Sequence, residues 1–517
     1  MKRTTLSLFA AAAALAAVTG VAALGGASPA AETGAKAPTR LPVQRSTALC
    51  PAPTSSDVAE TTYTSFTPQA KAQAGGKTSA AQLLSAAGPA AKSDAKADAK
   101  ADAKADPKKA GKGAKAPQAA GKPVLSLKEP GKPATATTSS SDAPALVGTA
   151  DGALAPGWTT QQTTVIAAGA GRGLHGVTCA APDTSFWFPG VSTVKGRQDY
   201  VHVTNPDPTA AVVDLELYGK DGRIKAPTGE AVNVPPRSTV PVLLSTLTDA
   251  PTEDLTLHVA ARNGRVGAGV QASDEKLGGD WLAPSGDASP SVVLPGIPAD
   301  ATSVRLVAHV PGDDDADLKV RLAGPTGSIS PAGHETLHIK SGMTTAVDLG
   351  DVTKGQAGSL LLTAEGDSAP VVAALRVTRG KGDKQETAFI PATPALDGRG
   401  TVADNRPKGS TLALVAPGKE AQVKVTSSAG ADGGSPVSKT YTVKAGTTLA
   451  VEPPQPGGTK GPYAVTVEKV SGGPVHASRT LALPKDGLPM FTIQPLPDDR
   501  STVAVPEAEQ DLSMLNR

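Results

Sequence analysis

The chain has 517 residues, of which only 3% are aromatic, against 55 glycines and 46 prolines. Its 50 basic and 48 acidic residues leave a net charge of +2, which gives no global drive toward nucleic acid or an anionic surface. The composition argues against one large α/β enzyme and against collagen, where Gly recurs at every third position; it favours short strands and turns diluted by unstructured sequence.

Lys2 and Arg3 precede an apolar run of 19 residues, Leu6 to Leu24, followed by the small residues Gly25 to Ala31. That is the order of a secretory signal, so residues 1–31 are predicted to be a signal peptide cleaved near Ala30. The run is also long enough to be weighed as a retained N-terminal membrane anchor. No second membrane span is predicted, and the residues before Cys50 do not form a lipobox. Export makes the only two cysteines, Cys50 and Cys179, disulfide partners. Such a bridge closes a long loop and is worth roughly 4–5 kcal/mol at most in the chain-entropy model.

Strands are expected over 41–66, where TTYTSFTP lies. From 70 to 155 the chain reads as a disordered linker. Ala-Lys-Ala-Asp recurs from Ala95 to Asp106, placing Lys96, Lys100 and Lys104 at i,i+4, and like charges at that spacing oppose a helix. Pro107, Pro117, Pro123 and Pro130 end any helix that begins. Nine Lys against four Asp between 88 and 122 offer contact with an anionic envelope polymer, though solvation is the plainer role. Gly75-Gly76-Lys77-Thr78 resembles the end of a phosphate loop. Lys71 stands where the first Gly belongs, and no apolar strand leads in, so that reading is rejected.

Beyond residue 185 three segments align without gaps over thirteen positions: EAVNVPPRSTVPV from Glu230, ETLHIKSGMTTAV from Glu335 and KTYTVKAGTTLAV from Lys439. Their apolar positions coincide and alternate with period two on either side of a turn, the pattern of half-buried strands. FWFPG, VVLPG and FIPAT are read as the strands that open each unit, with a fourth such start at Phe491. Roughly seven short strands in about 105 residues is the mark of an immunoglobulin-like sandwich. The predicted fold class is all-β: three tandem immunoglobulin-like sandwiches at 158–290 (with its Cys179-containing flank), 291–387 and 388–487. Residues 41–66 pack on the first, and 488–517 form a C-terminal strand and tail.

Several motifs invite chemistry. His334-Glu335-Thr336-Leu337-His338 is a literal HExxH, which in a zinc peptidase must lie on a helix so that both histidines reach one ion. Here it runs into the repeated strand, where residues four apart are roughly 13 Å apart, too far to share a metal. Asp313, Asp314, Asp315 and Asp317 form an acidic loop with the oxygen chemistry calcium takes; a plain loop is the simpler reading. Gly169-Ala170-Gly171-Arg172-Gly173 lacks the setting of a dinucleotide loop. Trp187 and Trp281 suit a sugar platform, or the filling of a domain junction. No His shares a sequence constellation with a Ser or Cys nucleophile, and no cofactor is predicted.

The segments RSTALCPAP, TTYTSFTP, GLHGVTCAAPDTSFWFPG and GDWLAPS with VVLPGIP resemble an uncharacterised family of exported actinobacterial proteins, a domain of unknown function. The resemblance implies an exported or envelope location and supplies no catalytic residue. The functional expectation is an exported, non-enzymatic cell-envelope protein, a scaffold or binding module whose partner is an envelope polymer or protein rather than nucleic acid. The alternatives are a carbohydrate-binding or adhesion protein and, less favoured, a zinc metallopeptidase through the HExxH.

Overall fold

The computed structural model describes residues 39–69, 79–86 and 122–506; the apolar N-terminal segment, the Gly75–Thr78 decoy, the Ala-Lys-Asp repeat and the last eleven residues lie outside them. The described chain is all-β and antiparallel, with three short 3₁₀ turns. Thr39–Pro42 pairs with Thr502–Val505 as a small separate unit. Residues 43–501 form the second unit, which holds eight sheets.

These eight sheets form four pairs, and all four share one strand order. In the pair that starts at Ser185, one sheet runs Ser185–Val191, Leu255–Asn263, Ala211–Gly219, with Gly222–Ile224 and Val232–Val234 at its far edge. The facing sheet runs Thr239–Leu243, Arg197–Thr204, Gly267–Asp274, Gly278–Leu282. Alternate residues of both sheets, among them Phe188, Leu215, Val201 and Val270, fill one apolar core. The pairs that start at Ser291 and Arg399 repeat this order, the last with an added strand at Gly457–Lys460. The aligned thirteen-residue segments are two strands that cross from one sheet of each pair to the other, which is why their apolar alternation coincides.

The fourth copy is the N-terminal one, and it corrects the expected linker. Arg45–Cys50, Leu146–Asp151, Ala81–Ser85 and Leu125–Leu127 form one sheet; Ala134–Thr138, Ala59–Phe66, Thr159–Ile166 and Gly173–Thr178 form the other. Four of these strands fall within 70–155, so that stretch is not one disordered linker. Within the expected segments 41–66 and 158–185, the strands Arg45–Cys50, Ala59–Phe66, Thr159–Ile166 and Gly173–Thr178 belong to this sheet pair and are not a flank of the next. Its core of Leu83, Leu125, Leu127, Leu146, Tyr63 and Trp158 is small, and its strands are separated by the Ala-Lys-Asp insertion, so no continuous periodicity announces it. The boundary expected at 388 also falls inside a strand. Lys384–Pro391, which contains the FIP motif, is the last strand of its pair, with Phe389 opposite Arg376. Phe491–Pro495 holds the same last position and opens no new unit.

The four pairs close into a ring. Their last strands, Gly173–Thr178, Gly278–Leu282, Lys384–Pro391 and Phe491–Pro495, pack each against the next, and the fourth packs back on the first. We call them the axial strands. Around them, the opening strand of each pair leans on the following pair: Ser185–Val191 on Val372–Lys381, Ser291–Ile297 on His476–Ala482, and Arg399–Asn405 on Thr159–Ile166. Leu49 of the N-terminal pair meets Gly267 in the same way, and Gln271 donates to the Pro53 carbonyl at 3.1 Å.

Candidate functional site

The axial strands carry polar side chains into the centre of the ring. Asp280 is fully buried on the strand GGDWL; its Oδ1 accepts the backbone N–H of Gly176 at 2.8 Å and of Trp281 at 2.8 Å. Burial holds its carboxyl well above the usual carboxylate range despite these bonds. Glu386, equally buried on the next axial strand, is pushed up to about 7 by burial, opposed by Arg172, whose Nε lies 3.4 Å from Oε1. His175 is fully buried, and burial pushes it down to about 4, opposed by its contact with Gly171. It is therefore neutral at pH 7, and its Nε2 donates to the Gly171 carbonyl at 2.8 Å. Buried Arg479, lowered to about 10 by burial, stays charged and donates to Gln161 Oε1 at 2.8 Å across the junction that closes the ring.

Close approach of the axial strands depends on missing side chains. A Cβ on Gly279 would lie 2.6 Å from the Ala272 carbonyl oxygen and 3.0 Å from the His175 ring. This hub gathers titratable groups in a buried setting that favours the neutral forms of Asp280, Glu386 and His175, while Arg479 keeps its charge beside the neutral Gln161.

A second constellation lies on an outer sheet face. Ser185 Oγ is 3.0 Å from His258 Nε2, and His258 Nδ1 is 3.0 Å from Glu216 Oε2. Three adjacent strands bring together a serine, a histidine and an acid that sequence spacing could not connect, with the distances of a nucleophilic triad. Its surroundings differ from an acyl-transfer site. Around Ser185 the sheet ladder runs on, pairing Ser185 with Ala260, and ladder amides lie in the sheet plane where they stabilise no oxyanion above it. Trp187 stacks on the His258 ring at 3.8 Å and Glu216 also holds Arg223 at 2.8 Å and the Tyr218 hydroxyl at 2.9 Å. Burial raises the Glu216 carboxyl, and these partners outweigh it and hold the group below the usual range. The cluster continues through Tyr218 to buried His309 of the following pair. Trp187 thus helps fill a junction between two sheet pairs.

The motifs singled out in the sequence fall elsewhere. His338 lies on the strand Thr336–Ile339, and His334 precedes it in a turn, so no helix presents the two to one metal. His338 instead pairs with the acidic loop, Nδ1 at 2.8 Å from Asp317 and Nε2 at 3.6 Å from Asp315. Asp315 also accepts the Ser341 N–H at 2.8 Å. Among the described residues, no group of three or more His, Cys, Asp or Glu is placed to hold a metal ion. Trp281 is 2% exposed beside His202, which removes it as a sugar platform. Cys50 and Cys179 are joined in a disulfide that ties the opening strand of the N-terminal pair to the end of its axial strand. No helix among the described residues is long and apolar enough to cross a membrane.

A profile described as a family of unknown function, DUF5719, matches residues 134–454. No curated protein and no solved structure matches the chain.

Proposed function

The chain belongs to the DUF5719 family, and we propose that it is an exported, non-enzymatic scaffold or binding module of the cell envelope, built from immunoglobulin-like sandwiches. The observation that carries this reading is the closed ring with its buried polar hub, whose titratable groups lie where the sheet pairs meet. Export is supported by the Lys-Arg and apolar N-terminal pattern together with the Cys50–Cys179 bridge, a bond that oxidising compartments preserve. The immunoglobulin-like reading rests on the facing antiparallel sheets, each pair sharing one core.

Fractionation of expressing cells with crosslinking and pulldown from envelope extracts tests this. Recovery in the medium or envelope with the bridge formed, together with a specific envelope partner, supports it. Retention in the cytoplasm with two free thiols, or a robust hydrolase activity mapped to named residues, overturns it.

A further inference from the structure

The ring has four junctions of one design, and they are not closed alike. Three of them are crossed by the chain itself, since residues 179–184, 283–290 and 392–398 carry one sheet pair into the next. Each of the three is also well secured. The remaining space between the first and second pairs is about 20 Å³. Arg305 on Asp254 at 2.5 Å and Arg376 on Glu253 at 3.2 Å pin the second to the third. Val293, Ala323, Leu361 and Val415 pack the third against the fourth, where the Thr448 hydroxyl donates to the Ala323 carbonyl at 2.7 Å.

The junction between the fourth and first pairs has no following copy to lead into. Its apolar cluster is Phe66 with Ala403 and Ala464, and two alanines bury little surface. A cleft of about 400 Å³ stays open between the same two pairs. The segment after the last axial strand crosses this junction. Leu496 is still anchored in the core of the fourth pair. Asp498 then accepts the N–H groups of Gly398 at 2.8 Å and Arg399 at 3.2 Å, and the Asp499 N–H donates to the Arg399 carbonyl at 2.7 Å. Asp499 Oδ2 accepts the Arg399 Nε–H at 2.5 Å in a mostly buried ion pair. Gly157 of the first pair lies on that ion pair: a Cβ there would strike Asp499 Oδ2 and come within 2.6 Å of Arg399 Nη2. Two residues on, the Ser501 carbonyl accepts the Val43 N–H at 3.0 Å, at the entrance to the first pair. Arg500, between them, is held at φ +48°, a left-handed conformation that residues other than glycine rarely adopt.

We propose that the ring opens at the junction between its fourth and first pairs, and that residues 498–501 are the strap that latches it, with the Arg399–Asp499 ion pair under Gly157 as the catch. Local opening draws on the parts of a fold with few buried apolar contacts, which is the condition of this seam. The Cys50–Cys179 bridge lies wholly within the first pair, so that pair keeps its own fold while the seam opens. Opening bares Phe66 and parts Arg479 from Gln161.

Thiol labelling of the full-length, bridged protein with a maleimide tests the strap. Both native cysteines are locked in the bridge, so an introduced thiol is the only target. Ala403→Cys places it in the seam, and Ala323→Cys places an equally buried one between the third and fourth pairs. Labelling at Ala403→Cys is expected to be the faster, and Asp499→Asn should speed it about tenfold or more without accelerating Ala323→Cys. Gly157→Ala wedges the catch apart with both charges kept, and gives the same comparison if Asp499→Asn folds poorly. Equal rates at the two sites, a rate at Ala403→Cys that neither variant changes, or acceleration of both sites together overturns the proposal.

Discussion

Arg172 Nε lies 3.4 Å from Glu386 Oε1, joining the N-terminal sheet pair to the third across the centre of the ring. Arg172 also donates to the carbonyls of Lys276 at 2.9 Å and Gln385 at 3.1 Å, so one guanidinium touches three of the four pairs. The axial region therefore behaves as a shared core whose protonation is coupled to the stability of the whole unit.

Stability should respond to pH through Glu386. Its folded pKa, about 7, is above the ordinary glutamate value of 4.5, so between these values the folded state holds a proton that the unfolded state has lost. Its contribution is full below about 4.5 and is lost as pH rises through 7. Asp280 acts in the same direction. Buried His175, lowered to about 4 from 6.5, has the opposite sign, destabilising as pH falls from 6.5 toward 4. Glu386→Gln removes only the first effect. Its Tm relative to wild type should be more favourable at pH 8 than at pH 5; an equal difference at both pH values would refute the assignment.

Asp280 should tolerate loss of charge and not loss of its oxygen. Asp280→Asn retains an acceptor for the Gly176 and Trp281 amides, whereas Asp280→Ala leaves both buried donors unpaired. Equilibrium denaturation should show the Ala variant destabilised by about 2–4 kcal/mol and the Asn variant by less than about 1 kcal/mol.

Gly279→Ala should open the hub. The new Cβ meets a carbonyl oxygen at 2.6 Å, a contact that only backbone movement relieves, and a loss of about 3 kcal/mol or more is expected. Gly312→Ala, where no atom lies within 4 Å, is the control and should stay within about 0.5 kcal/mol. Comparable Tm values for the two variants would contradict the packing described.

The bridge spans a sequence separation of 129, and removing it by Cys50→Ser with Cys179→Ser should cost up to roughly 4–5 kcal/mol. Limited proteolysis should then cut first within the N-terminal sheet pair. Uniform loss of protection across the ring would instead show that the four pairs unfold together.

Ser185 should be chemically inert. A fluorophosphonate probe should not label the protein, and Ser185→Ala should leave the unfolding free energy within about 0.5 kcal/mol of wild type because the hydroxyl is exposed. Labelling abolished by Ser185→Ala would establish a working nucleophile and count against the non-enzymatic reading.

Three of the four copies were legible in the sequence because their strands carry Val, Leu and Ile at period two and keep a repeat of 105 and then 104 residues. The strand character of His338 followed from the same alternation. The N-terminal copy was hidden because its strands are short, its core rests on a few leucines with Tyr63 and Trp158, and the Ala-Lys-Asp insertion falls between Ala81–Ser85 and Leu125–Leu127. FWFPG and VVLPG do open their copies, but FIPAT and the Phe491 strand are last strands that were read as openings, since an aromatic or apolar residue before Pro looks the same on either edge of a sheet.

Sequence alone thus determined the class of the fold, the repeat and the pairing of the only two cysteines, all of which depend on local alternation or on counting. The tertiary structure decided what sits together: the closure of four pairs into a ring, the meeting of His175, Asp280, Glu386 and Arg172 from three separate copies, and the Ser185–His258–Glu216 alignment across neighbouring strands. Those relationships arise from strand pairing and from packing between domains, whose partners lie about a hundred residues or more apart in much of the hub, and no pattern along the chain records such distances.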